Sequence, residues 1–306
     1  MSQAAVISSS TIYSSYQSIN ALKDQAISIQ VLKAPLGAVV SGLDLSQPLA
    51  PSIVFELKQL FNEHLVVVFK NQQLNDEQYL DFAQYFGSVY QSPKHIPVLA
   101  SANDGENQTI VLVANTQEGY TGSGELTAHS DHHWTPVPSK ASFLYALAVP
   151  EQGGDTLWAN HYEIYDDLPE ATKARIQQLQ LITYNPFVRR LKGGEPRLYR
   201  DLSREPISEG FPHPLVATHP ETGRKVLYLD QATEVEVLGL SQSEGEALIA
   251  ELRAHAAQPK YLYRHQWEVG DVVYWDNLAT THQRPAFDPQ QTRILKRISL
   301  AGIRPI

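Results

Sequence analysis

A mainly β fold with inserted helices, built on a double-stranded β-helix (jelly-roll) core, is what these 306 residues predict. Three observations carry that reading. Short apolar or β-branched runs recur between Gly/Ser/Pro clusters, the pattern of sandwiches and barrels. Helical spacing returns only in isolated stretches, so helices decorate the strands. No repeat of roughly 20 to 50 residues stands out, so no solenoid or propeller is read.

Taken in order, residues 1–25 are Ser-, Gln- and Ala-rich with little periodicity and read as a flexible N-terminal extension, leaving 26–306 as a single domain. Alternation at Ile27, Ile29 and Val31 predicts a half-buried strand, punctuated by turns at Leu36-Gly37 and Ser41-Gly42. Over residues 51–64, Ile53 or Val54, Leu57, Leu60 and Phe61 fall at helical spacing, and 65–69 follows as a buried strand. Asn75 is placed to cap a helix whose Tyr79, Phe82, Ala83 and Phe86 share one face, with Gly87 just past its end.

Between Thr109 and Trp158 the runs 110–114, 141–149 and 156–159 predict strands. Helical spacing is expected over 163–181. The aperiodic stretch 185–210, bearing Arg, Gly and Pro, reads as a lid or a covering insertion. Ser241 and Glu244 form a capping box for a helix through Leu248, Leu252 and Ala256, ending before Pro259. Runs 269–275 and 294–303 return to strand patterning.

Charge narrows the partners. Twenty-four Lys and Arg against 33 Asp and Glu leave a net charge of -9, which gives no pull toward nucleic acid or an anionic membrane. A small-molecule substrate is expected, and a homo-oligomer stays open. The N-terminal stretch lacks the basic and apolar regions of a secretory signal, and the longest purely apolar run, 143–149, is far below the ~20 residues that span a bilayer, so a cytoplasmic location is expected. There is no cysteine, which excludes disulfides, Cys-ligated zinc, iron–sulfur clusters and thiol catalysis. Any metal must therefore sit on His and carboxylate.

Of the eleven histidines, His129 stands two residues before Asp131. In a strand both side chains leave the same face, and an imidazole with a carboxylate suits Fe(II) once a second His completes a facial triad. His282, beyond the apolar strand 272–275, is the candidate for that third position. Arg293 and Arg297, four residues apart, fall on one strand face with Leu295 turned away, and each would need an anion if buried. His132 and His133 are read as supporting or surface residues, Trp275-Asp276-Asn277 as a strand end and turn, and Arg224-Lys225 as hairpin decoration.

Together these features resemble the taurine dioxygenase / 2,4-dichlorophenoxyacetate dioxygenase (TauD/TfdA) family of Fe(II)- and 2-oxoglutarate-dependent oxygenases. The matching segments are LGAVVSGLDLSQPL, FNEHLVVVFKNQQLNDEQYLDFAQYFG, HSD, VPEQGGDTLWAN, HPLVATHPETGRKVLYL and WEVGDVVYWDNLATTHQRPAFDPQQTRILKR, running from about residue 27 to the end. The resemblance implies that His129, Asp131 and His282 hold the iron. It implies that Thr156, 27 residues after His129, and Arg293 bind the distal carboxylate of 2-oxoglutarate. Arg297 and His95 stand where relatives contact substrate. Glu125 stands where taurine-oxidising members carry Asn; an acidic group beside a sulfonate is unfavourable, which points away from taurine and toward an amino-acid-like or amine-bearing substrate.

The implied activity consumes O2 and 2-oxoglutarate, releases succinate and CO2, and oxidises a C–H bond of a small organic acid: a sulfonate, a carboxylate or an amino-acid-like molecule. Desaturation or decarboxylation of a natural-product precursor is the alternative. A zinc-dependent hydrolase on the same fold is a more distant one.

Overall fold

Strands buried on both faces read as unbroken apolar runs, and two such runs build the centre of this protein. The computed structural model describes residues 27–306 except 94–95, 97, 100–108, 192–196 and 232; the segment 1–25 lies outside the described residues. The first strands are β1 (Ser28–Val31), β2 (Ala38–Ser41), β3 (Val66–Phe69), β4 (Val111–Ala114), β5 (Leu126–His129), β6 (Ser139–Ala148), β7 (Thr156–Asn160) and β8 (Gln180–Thr183). They are followed by β9 (Pro212–Pro214), β10 (Val216–Thr218), β11 (Lys225–Leu227), β12 (Val235–Val237), β13 (Leu262–His265), β14 (Val272–Asp276), β15 (Thr280–Arg284) and β16 (Ile294–Ala301). The helices are α1 (Pro51–His64), α2 (Asp76–Gln84), α3 (His161–Asp166), α4 (Glu170–Ile176), α5 (Pro186–Leu191) and α6 (Gln242–Ala256).

A seven-stranded sheet has the order β1-β2-β3-β14-β6-β16-β4, and a four-stranded sheet the order β13-β7-β15-β5. Alternation along β6 sends Phe143 and Tyr145 to one face and Leu144 and Ala146 to the other, all buried. The first pair joins a core with Leu57 and Leu60 of α1 and Phe82 of α2; Phe143 stacks on Tyr274 at 4.2 Å between ring centroids. The second pair joins a core shared with Trp158 of the four-stranded sheet, whose ring lies 5.8 Å from that of Trp275. Two sheets therefore meet face to face, with helices covering the outer side of the larger one. A third core packs Leu248 and Leu252 of α6 against Leu181 and Val235 of a three-stranded sheet, β12-β8-β9.

Local signals at the helix ends hold. Asn75 accepts from the Gln78 backbone N–H while the Gln78 side chain accepts from the Asn75 N–H, and Ser241 with Glu244 does the same for α6. Each cap is worth about 1 kcal/mol. α1 begins at Pro51 and ends where Leu65 turns left-handed at φ 64°.

Elsewhere tertiary structure overrides spacing. The helical stretch expected over 163–181 is two short helices, α3 and α4, separated at Leu168-Pro169, and its end is strand β8, where Leu181 pairs with Val237. Pro169 cannot continue a helix from within, and β12 captures residues 180–183 as a strand. The strand expected from 269 starts at Val272, because Gly270 (φ 91°) turns the chain and leaves Val269 exposed. Residues 185–210 include the short helix α5. Among the described residues no helix is long and apolar enough to cross a membrane.

Candidate active site

β5 and β15 are neighbours in the four-stranded sheet, and their register sets His129 directly opposite His282. The two imidazole rings lie 4.3 Å apart between centroids. Asp131 is not in the strand, as its spacing suggested. β5 ends at His129, the Ser130 N–H turns to Asp230 Oδ2 at 3.2 Å, and left-handed His132 (φ 62°) completes the turn. That turn still delivers the carboxylate. One ligand atom from each of His129, Asp131 and His282 lies within 4.8 Å of the others. His282 lies in a strand of its own, in the opposite sheet from β14, and not merely past the end of 272–275.

Protonation states suit a cation. His129 Nδ1 is 2.7 Å from the Thr127 carbonyl, which can only accept, so Nδ1 carries a proton and Nε2 is the ring atom left to face a cation. Burial and the neighbouring His129 push His282 down to about 3, so its ring is neutral. Burial pushes Asp131 up, but the Arg297 guanidinium acts against it, and the carboxyl is held well below the usual range. Two imidazoles and a carboxylate, with cavity on the remaining side, fit a ferrous ion that must keep positions open.

Asp131 is gripped at both oxygens: Oδ1 accepts from Arg297 Nη1 at 2.9 Å and Oδ2 from Ser142 Oγ at 3.2 Å. Ser142 accepts in turn from Asn277 Nδ2 at 2.9 Å, and Asn277 Oδ1 accepts from Trp275 Nε1 at 2.8 Å. The Asn277 carbonyl also accepts from Ser130 Oγ. The Trp-Asp-Asn turn, read from sequence as bland, thus binds the β14–β15 hairpin to the segment bearing the other two candidate ligands. The serines that Asn277 engages, Ser130, Ser139 and Ser142, lie more than a hundred positions away in the chain, so spacing gave no sign of them.

A second cluster adjoins. Thr156 Oγ1 accepts from Trp267 Nε1 at 3.0 Å and from Arg293 Nη2 at 3.2 Å, and Arg293 Nε donates to the Gly154 carbonyl at 2.8 Å. Burial lowers the Arg293 guanidinium to about 9, and the Arg284 charge acts in the same direction. Gly154 (φ 71°) is required here, since a Cβ would lie 2.9 Å from Pro150 and 3.2 Å from Arg293 Cδ. Arg293 just precedes β16 and Arg297 lies within it; Leu295 faces inward as they do, because residues two apart share a strand face.

Both clusters open on one cavity of about 580 Å³. Its polar lining includes His129, Asp131, His282, Thr156, Arg293 and Arg297, and its apolar walls include Trp134, Phe187, Leu126 and Val113. Glu125 also lines it but is exposed, away from the buried floor. His95 lies outside the described residues. His132 and His133 are buried on Ser139 and Thr183 hydroxyls and stacked on Tyr90 and Tyr228; His132 also lines the cavity, but neither joins the group of three. Arg284, buried in β15 and lining the same cavity, went unnoticed in sequence because one Arg in a polar strand carries no signal.

This fold and donor set define a class, the 2-oxoglutarate-dependent dioxygenases, which use Fe(II), 2-oxoglutarate and O2. The chain belongs to the taurine catabolism dioxygenase TauD, TfdA family, whose model matches residues 28–299. It is 34% identical over 286 residues to an alkylsulfatase of Acinetobacter baylyi, covering 91% of this chain and 86% of that protein. It is 30% identical over 286 residues to pentalenolactone F synthase of Streptomyces arenae, covering 87% of this chain and 92% of that one. Among solved structures, AAD-2 in complex with Mn(II) and N-oxalylglycine superposes with a TM-score of 0.77 at 31% identity, covering 91% of this chain and 99% of that one.

Proposed function

We propose that this chain is a single dioxygenase domain on a double-stranded β-helix core, in which His129, Asp131 and His282 would hold the Fe(II) used to oxidise a C–H bond of a small organic acid. Convergence of those three side chains beside the Thr156–Arg293 pair in one cavity carries the reading. Bound ferrous iron and 2-oxoglutarate supply the oxidising power, consuming O2 and releasing succinate and CO2.

The chain's own residues bind, orient and exclude water. Thr156 and Arg293 hold the distal carboxylate of the cosubstrate, one as a neutral donor and the other as a charged fork. Arg297 keeps Asp131 in one orientation through Nη1, and its Nε, buried without a partner among the described residues, is available to a substrate anion. Trp134 and Phe187 form an apolar wall, their rings 5.6 Å apart, that suits an apolar arm behind an acidic head. Glu125 at the rim favours an amine or other donor over a second anion.

A bulkier natural-product precursor, desaturated or decarboxylated by the same cofactors, is the second reading. It is favoured by the cavity's 580 Å³ and by the likeness to pentalenolactone F synthase. Anaerobic addition of Fe(II) and 2-oxoglutarate should raise a visible charge-transfer band. Sulfonates, sulfate esters, carboxylates, amino acids and terpenoid acids would then be ranked by substrate-dependent succinate. No band, or turnover of an ester without O2 and 2-oxoglutarate, would overturn the proposal in favour of hydrolysis.

A further inference from the structure

Arg284 follows His282 by two residues in β15 and is 3% exposed. The register of β15 on β7 runs from Thr280 opposite Asn160 to Gln283 opposite Leu157, the residue that follows Thr156. Arg293 reaches that threonine at 3.2 Å. Arg284 and Arg293, both buried, thus line the cavity that Thr156 also lines. The neighbouring carboxylate, Asp155, is engaged by Arg264 at 2.5 Å, and among the described residues neither Arg284 nor Arg293 forms an ion pair with any carboxylate. A buried cation without a counter-anion is costly, and an arriving carboxylate removes that cost.

Arg284 is also tied to the cavity wall. Its Nη2 donates to the carbonyls of Gly122, at 2.7 Å, and Gly124, while its Nε is buried with no partner among the described residues. Its guanidinium lies 5.0 Å from the Phe287 ring centre, and the Phe287 N–H donates to the Ser123 carbonyl at 3.1 Å. The segment so held, 119–125, contributes Tyr120, Thr121 and Glu125 to the cavity.

We propose that Arg284 is a second guanidinium for the distal carboxylate of 2-oxoglutarate, and that its grip on Gly122 and Gly124 couples order in segment 119–125 to cosubstrate binding. This rests on reading the cavity as a 2-oxoglutarate site. Cosubstrate then both neutralises the buried charge and stiffens one wall of the substrate space.

The test is calorimetric titration of Mn(II)-loaded protein with 2-oxoglutarate and with 2-oxopentanoate, which keeps the 2-oxo acid end and lacks the distal carboxylate. Arg284→Gln should weaken 2-oxoglutarate by about tenfold or more, the loss of a charged hydrogen bond, and leave 2-oxopentanoate within about twofold. Arg284→Lys, which keeps the charge but not the fork, should fall between. Mn(II) affinity close to native in each variant checks that it has folded. In native protein 2-oxoglutarate should slow amide exchange over 119–125, and in Arg284→Gln it should not. Native-like 2-oxoglutarate binding by Arg284→Gln, or equal weakening of both oxo acids, would overturn the charge role, and persisting protection would overturn the coupling. Failure of the native protein to bind 2-oxoglutarate would overturn the site reading itself, and this inference with it.

Discussion

Arg297 and Asp131 form a buried ion pair, Nη1 to Oδ1 at 2.9 Å, with side chains only 10% and 6% exposed. The aspartate is also the lone carboxylate of the triad, so the arginine supplies its counter-charge when no cation is bound. Arg297→Met should destabilise metal-free protein by about 3–5 kcal/mol, the cost of orphaning a buried charge. Saturating Zn(II) should restore much of it. Urea unfolding with and without the ion measures both, and an unchanged midpoint in the metal-free variant would contradict the pairing.

His129→Ala and Asp131→Ala should each abolish Co(II) binding at micromolar metal and substrate-dependent succinate release, since both remove a donor from a three-donor set. Native activity in either variant would refute the ligand assignment.

Arg293→Ala should raise the 2-oxoglutarate requirement by roughly 10- to 100-fold, as expected for losing a charged partner. Thr156→Val should cost less, because it removes a neutral hydroxyl that also receives the Trp267 indole. Titration followed by succinate yield separates them, and equal effects would assign Arg293 no special charge role.

Asn277→Ala deletes the side-chain bonds to Ser139, Ser142 and Trp275. Its loss should cost about 2–4 kcal/mol of stability and weaken metal binding about 10- to 100-fold, since Ser142 orients Asp131. Metal affinity unchanged beside a large stability loss would limit Asn277 to folding.

His219 and Asp276 make a buried contact at 3.0 Å. Burial lowers the imidazole pKa, but the Asp276 charge outweighs it, so His219 is raised above its ordinary 6.5. A group raised on folding stabilises fully below its unfolded value and loses that contribution as pH rises through the folded one. Native protein should therefore exceed His219→Gln in stability by more at pH 5.5 than at pH 9. A difference that grows with pH would reverse the sign.

Features that depend on near neighbours in the chain were legible in the sequence. The Asn75 cap and the Ser241–Glu244 box lie within four positions of their partners, and the helices they open stand where spacing put them. Runs such as 66–69 were legible as buried strands because both faces meet a core. Three-residue strands such as β9 to β12 left no period to detect, and Leu181 passed for a helical residue until paired with Val237. In the site, a family motif marked the triad, Thr156 and Arg293. Asn277 was read only as part of a turn and Arg284 drew no notice, because their partners, Ser142 and the Gly122 carbonyl, are brought near only by the fold.

β14 lies between β3 and β6, β16 between β6 and β4, and β15 between β7 and β5. The middle of both sheets is thus filled by the last strands of the chain. While a ribosome is still making residues 272–301, the earlier strands stand as separated edges, and of the three proposed ligands only His129 and Asp131 have been synthesised. With the proposed ligand set, iron can be held only once the strands that close both sheets are made, so no oxygen-activating centre precedes its walls.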